Sequence, residues 1–333
     1  MKKIIVIGAT SNVGSYFTFW ARDYFAGRYE IVATGRKHTD FFERNGIKYV
    51  NLDLTKETDF AKLPREEVHA VVLMAAAAPS YMVEYDPKSY LEANIVGTFN
   101  ALEYCRKIGV DRMLFMTTSY DTWLTREKDH NTIIHPDSPL NYSYTGDHAV
   151  YVISKNAGVE LMEHYYQEYG LKKFIFRFTT IYNYSPYHYY YPHGKKTLRP
   201  VYRMIENAMA SRPIEVWGDG KYAKNMVYVA DCSQMLCKAI EVNREKGFYN
   251  VGTGIPVTLE EQARTIVDVF SPKDNPSEIV FCPDKKVGGG SLMDIENAKM
   301  ELGYEPKYDC HALFEEYKKE MKLNRFAELL MRE

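Results

Sequence analysis

The sequence contains no apolar run long enough to cross a membrane. A membrane-spanning helix needs roughly 18 consecutive apolar residues. The amino-terminal stretch MKKIIVIGATSNVGS holds an apolar run of only about five residues before Gly8, which is also too short for the core of a signal peptide. We therefore expect a cytoplasmic protein with no membrane partner.

Cysteine is scarce and charge is nearly balanced. The five cysteines are odd in number and scattered, and none stand in a C-x-x-C motif. This argues against a disulfide framework and against a zinc site, so we expect no metal. The formal net charge is −2, which does not favour nucleic acid or an anionic membrane as a partner.

The first half of the chain alternates strand and helix patterns. The β-branched run at 3–9 is typical of a strand buried on both faces, and apolar residues at helical spacing follow at 13–25. The same reading predicts further strands at 29–35, 47–54, 69–78, 111–118 and 172–180, and helices at 87–108 and 148–169. Strict alternation indicates an α/β fold with a Rossmann-type, doubly wound parallel sheet.

After about residue 180 this rhythm breaks, and loops rich in Pro, Gly and Tyr lengthen. Strands are predicted at 224–231 and 247–253, and helices at 197–210, 231–242, 258–270 and 294–302. We expect a smaller, interleaved carboxyl-terminal substrate domain. Residues 1–180 plus roughly 218–254 would then form the dinucleotide-binding domain, and 181–217 with 255–333 the substrate domain.

A glycine-containing turn links the first strand to the first helix. Gly8, Ser11 and Gly14 would let the backbone approach a pyrophosphate held at the helix amino terminus, although a tight βα turn alone could explain them. After the second strand, a carboxylate that would bind the ribose of NAD is missing, and Gly35 is followed by Arg36, Lys37 and His38. This favours NADP through a 2′-phosphate, with NAD, or a merely solvated basic loop, as the alternative.

Tyr151 and Lys155 stand one helical turn apart. An ammonium group at that distance would favour the phenolate and lower the tyrosine pKa from its usual value near 10. The strand that precedes this helix ends in Thr117, Thr118 and Ser119, at the sheet edge where open α/β proteins bind ligands. These elements predict a proton-transfer site beside a nicotinamide.

Several motifs in a fixed order cover almost the whole chain. They are GATSNVG at 8–14, DL at 53–54, LMAAAA at 73–78, NIVGTFN at 94–100, TTS at 117–119, YVISK at 151–155, WGDGKYAKNMVYVAD at 217–231, YNVGTG at 249–254 and DIENAKMELGYEP at 294–306. In this order the sequence resembles the extended short-chain dehydrogenase/reductase family, in its sugar epimerase/dehydratase branch. The resemblance implies hydride transfer at a sugar carbon, followed in epimerases by return of the hydride to the other face, or in dehydratases by loss of water.

The resemblance also implies roles for particular residues. Tyr151 would be the general acid/base, Lys155 would lower its pKa and bind the nicotinamide ribose, Ser119 would bond the substrate oxygen, and Asn94 would position the site. Cofactor contacts are expected at Gly8, Thr10, Ser11, Asn12, Val13, Gly14, Arg36, Asp53, Leu54, Ala75, Ala76, Ala77, Asn94, Thr117, Tyr151 and Lys155. Asp53 would accept from the adenine amino group, or it caps the following helix.

Departures from the family pattern fall on the substrate side. Lys224 stands where members that act on nucleotide sugars carry an arginine, the segment Gly288–Gly290 lacks a second one, and Thr180 and Asn183 replace an asparagine and a glycine. A nucleotide sugar remains the leading substrate. An NADP-dependent reductase of a smaller carbonyl or a non-nucleotide sugar is the second reading, and a non-enzymatic dinucleotide-binding regulator the third. Substrate contacts are expected at Ser119, Tyr120, Thr180, Tyr182 and Lys224.

Three further features stay open at this stage. Asp121 completes half of a dehydratase acid pair, or is an ordinary turn residue; His148 could face the same site, or be solvated. The tyrosines of 182–191 could stack on a substrate or form an oligomer contact. By the resemblance, the helices at 87–108 and 148–169 would build the four-helix interface of a homodimer.

Overall fold

A seven-stranded parallel sheet forms the centre of the protein. In the computed structural model, which describes residues 1–128, 131–287, 290 and 292–331, this sheet has the order β14-β7-β5-β4-β1-β2-β3. Its strands are β1 (Lys3–Ile7), β2 (Glu30–Gly35), β3 (Lys48–Asn51), β4 (Val68–Leu73), β5 (Arg112–Thr118), β7 (Lys172–Phe178) and β14 (Lys246–Asn250). The predicted Rossmann-type α/β fold is confirmed.

Helices cover both faces of this sheet. They are α1 (Asn12–Tyr24), α2 (Phe41–Arg44), α3 (Pro87–Tyr90), α4 (Gly97–Ile108), α5 (Trp123–Lys128), α6 (Ala149–Tyr169), α7 (Pro200–Met209), α8 (Val229–Glu241), α9 (Leu259–Phe270), α10 (Glu296–Leu302), α11 (Cys310–Leu323) and α12 (Ala327–Leu330). The run at 3–9 is uniformly apolar because alternate residues of β1 face two different buried cores. Ile4 and Val6 belong to one buried core with α1 and α8, whereas Ile5 and Ile7 belong to the other with α4 and α6.

Short strands surround the central sheet. They are β6 (Ile133–Ile134), β8 (Ile181–Tyr182), β9 (Tyr189–Tyr190), β10 (Thr197–Leu198), β11 (Ile214–Trp217), β12 (Ala223–Asn225), β13 (Val227–Tyr228), β15 (Pro256–Thr258), β16 (Ile279–Cys282) and β17 (Leu292–Met293). They form separate two-stranded pairs, such as β8 with β13. No helix among the described residues is long and apolar enough to span a membrane.

Two sequence-based assignments need correction. The predicted helix at 87–108 is interrupted by a π-helical turn at Leu91–Val96 between α3 and α4. The predicted strand at 224–231 is two short strands, and α8 already begins at Val229. Asp231 in the first turn of α8 accepts hydrogen bonds from the backbone N–H groups of Lys307 and Tyr308, which holds that helix against the carboxyl-terminal segment.

The central strands are shorter at their carboxyl ends than the sequence predicts. β1 ends at Ile7 instead of residue 9, β4 at Leu73 instead of 78, and β7 at Phe178 instead of 180. The residues left over are loop residues at the edge of the sheet where ligands bind in this fold. These loops, together with the amino-terminal ends of α1 and α6, surround the candidate site.

Candidate active site

The glycine-containing turn is closed tightly against its surroundings. Gly8 has φ +94°, and an added Cβ there would lie 2.6 Å from the backbone nitrogen of Ala75. A Cβ on Gly14 would lie 2.2 Å from the carbonyl oxygen of Gly8. Ser11 caps α1 by accepting a hydrogen bond from the N–H of Gly14 at 3.2 Å. A bare backbone at a helix amino terminus fits the pyrophosphate of a dinucleotide.

The rest of the turn joins neighbouring elements. A Cβ at Gly35, the end of β2, would lie 2.4 Å from the hydroxyl oxygen of Thr10, so the turn and this strand end are in close contact. The amides of Asn12 and Asn183 exchange hydrogen bonds at 2.8 and 3.2 Å. Val13 packs against the core. Asn183, which takes the place of a family glycine, therefore braces the turn from the substrate side.

Asn94 is buried and connects the loop after β4 to α6. Its side-chain oxygen accepts the N–H of Ala77 at 2.9 Å, and its amide nitrogen donates to the carbonyl of Ala77 at 3.1 Å and to the Ser154 hydroxyl at 2.9 Å. Ser154 in turn donates to the carbonyl of Tyr151 at 2.7 Å. The π-helical turn carries Asn94, in keeping with the frequent occurrence of such turns at functional sites. Ala75 and Ala76 precede Ala77 in the same loop.

The hydroxyl beside Tyr151 belongs to Thr118, the last residue of β5. Tyr151 and Thr118 share a hydrogen bond that lowers the pKa of Tyr151, but burial outweighs it and raises that pKa to about 12. Burial lowers the pKa of Lys155 to about 7, and its Nζ lies 4.5 Å from the centre of the Phe115 ring. The expected lowering of the Tyr151 pKa is therefore not met in the protein without cofactor.

Ser119 and Thr117 lie on either side of Thr118. Ser119 is buried, and its backbone carbonyl accepts a hydrogen bond from Arg126. Thr117 has a buried hydroxyl without a hydrogen-bond partner among the described residues. The contact of Ser119 with a substrate oxygen stays a prediction, while the hydroxyl that bonds Tyr151 belongs to its neighbour Thr118.

Asp121 is locked into a buried ion pair. Its carboxylate lies 2.9 Å from Nε of Arg177, and each side chain is 2% exposed. Arg177 also donates to the side-chain oxygen of Asn250 at 3.1 Å and to the carbonyl of His135 at 3.0 Å. Burial raises the pKa of Asp121, and Arg177 offsets this only in part. The turn-residue reading left open in the sequence matches this placement, at the junction of β5, β7 and β14.

A second acid–base pair faces an aromatic cleft next to Tyr151. Nδ1 of His148 lies 2.6 Å from a carboxylate oxygen of Asp147, whose other oxygen accepts the N–H of His193 at 3.2 Å. The His148 ring lies 4.2 Å from the ring of Tyr120 and 6.5 Å from that of Tyr151, measured between centres. The cleft has a volume of about 490 Å³, and its aromatic lining comprises Tyr120, Trp123, Tyr142, Tyr190 and Tyr191.

The loop after β2 carries two exposed cations, Arg36 and Lys37, of which only Lys37 is bonded to another described residue. The Arg36 side chain makes no hydrogen bond or ion pair with any residue that the structure describes. Nζ of Lys37 is instead bonded to backbone carbonyls of α12. Asp53 uses one oxygen to accept from the N–H of Thr55 at 3.1 Å and from its hydroxyl at 2.9 Å, which closes a local turn. The capping alternative is wrong, because Lys56 is the N-cap of the 3₁₀ helix Glu57–Lys62 that follows. Leu54 is buried against Gly97 of α4.

The substrate-side residues are less tightly organised. Tyr182 is buried, and the ammonium of Lys224 lies 5.7 Å from its ring centre, whereas Thr180 is exposed. Tyr120 is close to the cleft described above. Gly288 and Gly289 lie outside the described residues, and the Gly290 carbonyl accepts a hydrogen bond from Arg126 at 3.1 Å. No group of three or more metal-ligating side chains occurs in the part of the chain that the structure describes.

The glycine turn, the Asn94 hydrogen bonds and the Tyr151–Lys155 pair are gathered at the carboxyl edge of one parallel sheet, where open α/β proteins bind ligands. The model of the NAD dependent epimerase/dehydratase family matches residues 4–252, and the chain belongs to this family. It is 25% identical over 269 residues to a GDP-L-fucose synthase of Sinorhizobium fredii, covering 77% of this chain and 80% of that protein. It is 23% identical over 285 residues to a UDP-glucuronate 4-epimerase of Thermodesulfobacterium geofontis, covering 84% and 80%.

Solved structures with the same fold include sugar epimerases. The UDP-glucose 4-epimerase of Thermotoga maritima with UDP-glucose has a TM-score of 0.75 and 21% identity, covering 97% of this chain and 99% of that one. The UDP-glucuronic acid 4-epimerase of Bacillus cereus in complex with NAD has a TM-score of 0.71 and 20% identity, covering 96% and 99%. These likenesses support the Rossmann-type architecture.

Proposed function

We propose that the protein is an NAD(P)-dependent epimerase or dehydratase that acts on a nucleotide-activated sugar through transient hydride transfer. The observation that carries this is the hydrogen bond between Tyr151 and Thr118 at the carboxyl end of β5, with Lys155 one turn further along α6. Relatives that are UDP-glucuronate 4-epimerases support the substrate class. The Tyr–Lys chemistry supports the reaction type.

When bound, the nicotinamide would accept a hydride from the sugar carbon and later return it. Tyr151 accepts the proton of the sugar hydroxyl, while Thr118 bonds the same oxygen and fixes its direction. Because the pKa of Tyr151 is about 12 without cofactor, it needs nearby positive charge to act as a base near neutral pH. Lys155 supplies this charge, and its own pKa of about 7 lets it hold or release a proton in the working range.

A second proton-transfer group would separate a dehydratase from a simple epimerase. We assign this role to His148, held by Asp147, since it faces the cleft beside Tyr151. Asp121 instead serves as a positioning residue, because Arg177 and burial occupy its carboxylate. The same dyad would protonate a leaving group or remove a proton next to the oxidised carbon.

The working cofactor we propose is NAD, with NADP as the alternative. The sequence favoured NADP because of the basic loop after β2, and exposed Arg36 keeps that choice open. However, Lys37 and Arg44 are both engaged by α12. The family is described as NAD dependent, and its structural neighbours include complexes with NAD.

Substrate recognition is assigned to the carboxyl-terminal part of the chain. Residues 181–217 and 255–333, predicted from the sequence to be a substrate domain, contribute Tyr182 and the tyrosines of 187–191, and Lys224 lies beside them. An ammonium ion attracts a diphosphate but lacks the fork of an arginine. The lost arginines favour the second candidate, an NADP-dependent reductase of a smaller carbonyl or a non-nucleotide sugar.

A homodimer through α4 and α6 is part of the same proposal. The large apolar side chains of Leu91, Val96, Phe99 and Ile153 are between 38% and 46% exposed on the π-helical turn and these two helices. Large apolar side chains exposed on neighbouring helices support an oligomer interface. Light scattering at several concentrations, with Phe99→Glu as the disrupting variant, tests the dimer.

The cofactor and substrate are identified directly from purified protein. Denaturation releases any bound nucleotide; oxidised cofactor supports internal recycling, whereas an empty site supports a reductase with free exchange. Nucleotide sugars are then screened for a rise in thermal midpoint, because a ligand that binds only the folded state stabilises it. If neither dinucleotides nor nucleotide sugars raise the thermal midpoint, the proposal is wrong. The third reading, a non-enzymatic dinucleotide-binding regulator, would then be wrong as well.

A further inference from the structure

The loop that reads the cofactor ribose is fastened to the last helix of the chain. Nζ of Lys37 lies 2.5 Å from the carbonyl of Glu328 and 3.3 Å from that of Leu329. The Glu328 carboxylate receives both hydrogen bonds of Arg44, at 2.6 and 2.8 Å, and one from the Thr39 hydroxyl at 3.2 Å. This set of contacts joins positions almost 300 residues apart.

Both sides of the loop are held firmly. On the helix side, the Phe326 ring packs on Phe19 at 5.3 Å and on Phe41 at 6.1 Å between ring centres. On the strand side, the Tyr49 hydroxyl donates to the carbonyls of Gly35 at 2.9 Å and Lys37 at 2.5 Å. The loop conformation therefore depends on β3 and on α12 together.

The contacts change the charge that a cofactor meets. The positively charged side chains Arg36, Lys37 and Arg44 follow β2, but Glu328 and Asp40 both pair with Arg44. The α12 carbonyls orient Lys37 toward the helix. The loop's formal charge from these groups falls from +3 to +1, and Arg36 alone is unengaged among the described residues. A ribose hydroxyl tolerates this surface, whereas a 2′-phosphate loses most of its attraction.

We propose that Glu328 is a specificity-determining residue that biases the site toward NAD. Glu328 neutralises the charge of Arg44. It also holds α12 in the position where the α12 backbone carbonyls accept hydrogen bonds from Lys37. This inference rests on the proposed dinucleotide binding and goes beyond it, because it names the residue that discriminates between the two cofactors. It explains how a loop with a basic sequence occurs in a family described as NAD-dependent.

The test is direct binding of NAD and NADP to protein stripped of nucleotide with charcoal, measured by calorimetry in low salt. In Glu328→Gln, which keeps the size of the side chain, we expect the Kd for NADP to fall about threefold to tenfold, because one negative charge is removed near a group carrying about two. The Kd for NAD should change less than twofold. The gain should shrink at about 0.5 M salt.

A double-mutant cycle separates charge from general loosening. Lys37→Gln should leave NADP affinity nearly unchanged in the wild-type background but weaken it in Glu328→Gln, where the ammonium is free to turn. Glu316→Gln is the matched control, since Glu316 pairs with Lys319 on α11 and touches no part of the loop. Thermal midpoints of all variants report folding.

The inference is overturned if the ratio of the two dissociation constants is the same in Glu328→Gln and wild type, or if both cofactors weaken together. If Glu328→Gln does not fold, Thr39→Val and Arg44→Gln test the same contacts from the loop side. Arg44→Gln should weaken the binding of NADP but not that of NAD. If wild type binds neither dinucleotide, the proposed function itself is wrong along with this inference.

Discussion

The two ends of the active site differ in how completely they are built. At the cofactor end, the glycine turn is tightly packed, and the Asn94 clamp and the Tyr151–Thr118 pair are fixed by hydrogen bonds. At the substrate end, Thr180 is exposed and the ammonium of Lys224 lies over the aromatic face of Tyr182. Chemistry that is common to a family needs fixed geometry, while substrate choice is made by groups that vary.

The contrast also appears in the titrating groups. Burial moves the pKa of Tyr151 up and that of Lys155 down, which is typical of groups held out of water for catalysis. On the substrate side, the Asp147–His148 pair is half-exposed and open to the cleft. The titratable groups of the cofactor end are thus held more rigidly by packing than those of the substrate end.

The largest effect is expected from Tyr151→Phe. Loss of the hydroxyl that is paired with Thr118 removes the acid/base, so turnover should fall at least about 1,000-fold. Cofactor affinity should change less than threefold, because the ring and its packing remain. Turnover and calorimetric binding are measured in parallel, with Tyr169→Phe on the exposed end of α6 as control. Activity near that of wild type would remove the catalytic assignment.

The next effect distinguishes two neighbouring hydroxyls. Thr118→Val keeps the shape of the side chain and loses the bond to Tyr151, so kcat should fall about 100-fold. Ser119→Ala should cost only a few-fold. The two variants are compared by kcat at saturating substrate, with thermal midpoints as a check on folding. If Ser119→Ala lowered kcat more than Thr118→Val, the hydroxyl that bonds the substrate oxygen would be that of Ser119, as the sequence predicts.

Much of the cofactor end could be predicted from the sequence because its signals are local. The β-branched run of β1 and the spacing of Tyr151 and Lys155 need no long-range information. The π-helical turn was missed, because Leu91–Val96 has ordinary helical periodicity and only the contacts of Asn94 reveal the bulge. The bond between Thr118 and Tyr151 is not predictable from the sequence, because three adjacent hydroxyls look alike in one dimension.

The contact between α12 and the loop after β2 could not be predicted either. Lys37 and Glu328 are separated by 291 positions, and either looks like an ordinary surface charge in its own segment. Likewise, Asp121 and Arg177 become partners only when β5 and β7 pair in the sheet. Pairings of this kind are determined by tertiary structure, which periodicity does not report.

A smaller effect concerns stability against pH. The pKa of Lys155 is about 7 in the folded protein and near 10.5 when unfolded, so the unfolded chain binds more protons between these values. The cost of burying this charge is fully present below pH 7 and is relieved as pH rises toward 10. Lys155→Met does not bury this charge, so its free energy of unfolding should exceed that of wild type at pH 7. This difference should narrow by up to about 1 kcal/mol per pH unit from pH 7 to 9.5.

Urea unfolding of the cofactor-free proteins at several pH values measures this difference. Lys322→Met, at an exposed position of α11, is the control and should run parallel to wild type. A gap between Lys155→Met and wild type that stays constant with pH would mean that Lys155 has its ordinary pKa in the folded state. The lysine would then be charged before the cofactor arrives.

The smallest effect sharpens the contrast at the substrate end. Lys224→Arg restores the fork that nucleotide-sugar members carry, and a bidentate contact to a diphosphate adds roughly 1 kcal/mol to a charge-assisted hydrogen bond. If the substrate is a nucleotide sugar, its KM should fall about threefold to fivefold, with kcat unchanged. Lys221→Arg, in the same segment but away from Tyr182, is the control. An unchanged KM alongside a normal kcat would show that Lys224 does not meet a diphosphate, and the smaller carbonyl substrate would then be the better reading of the site.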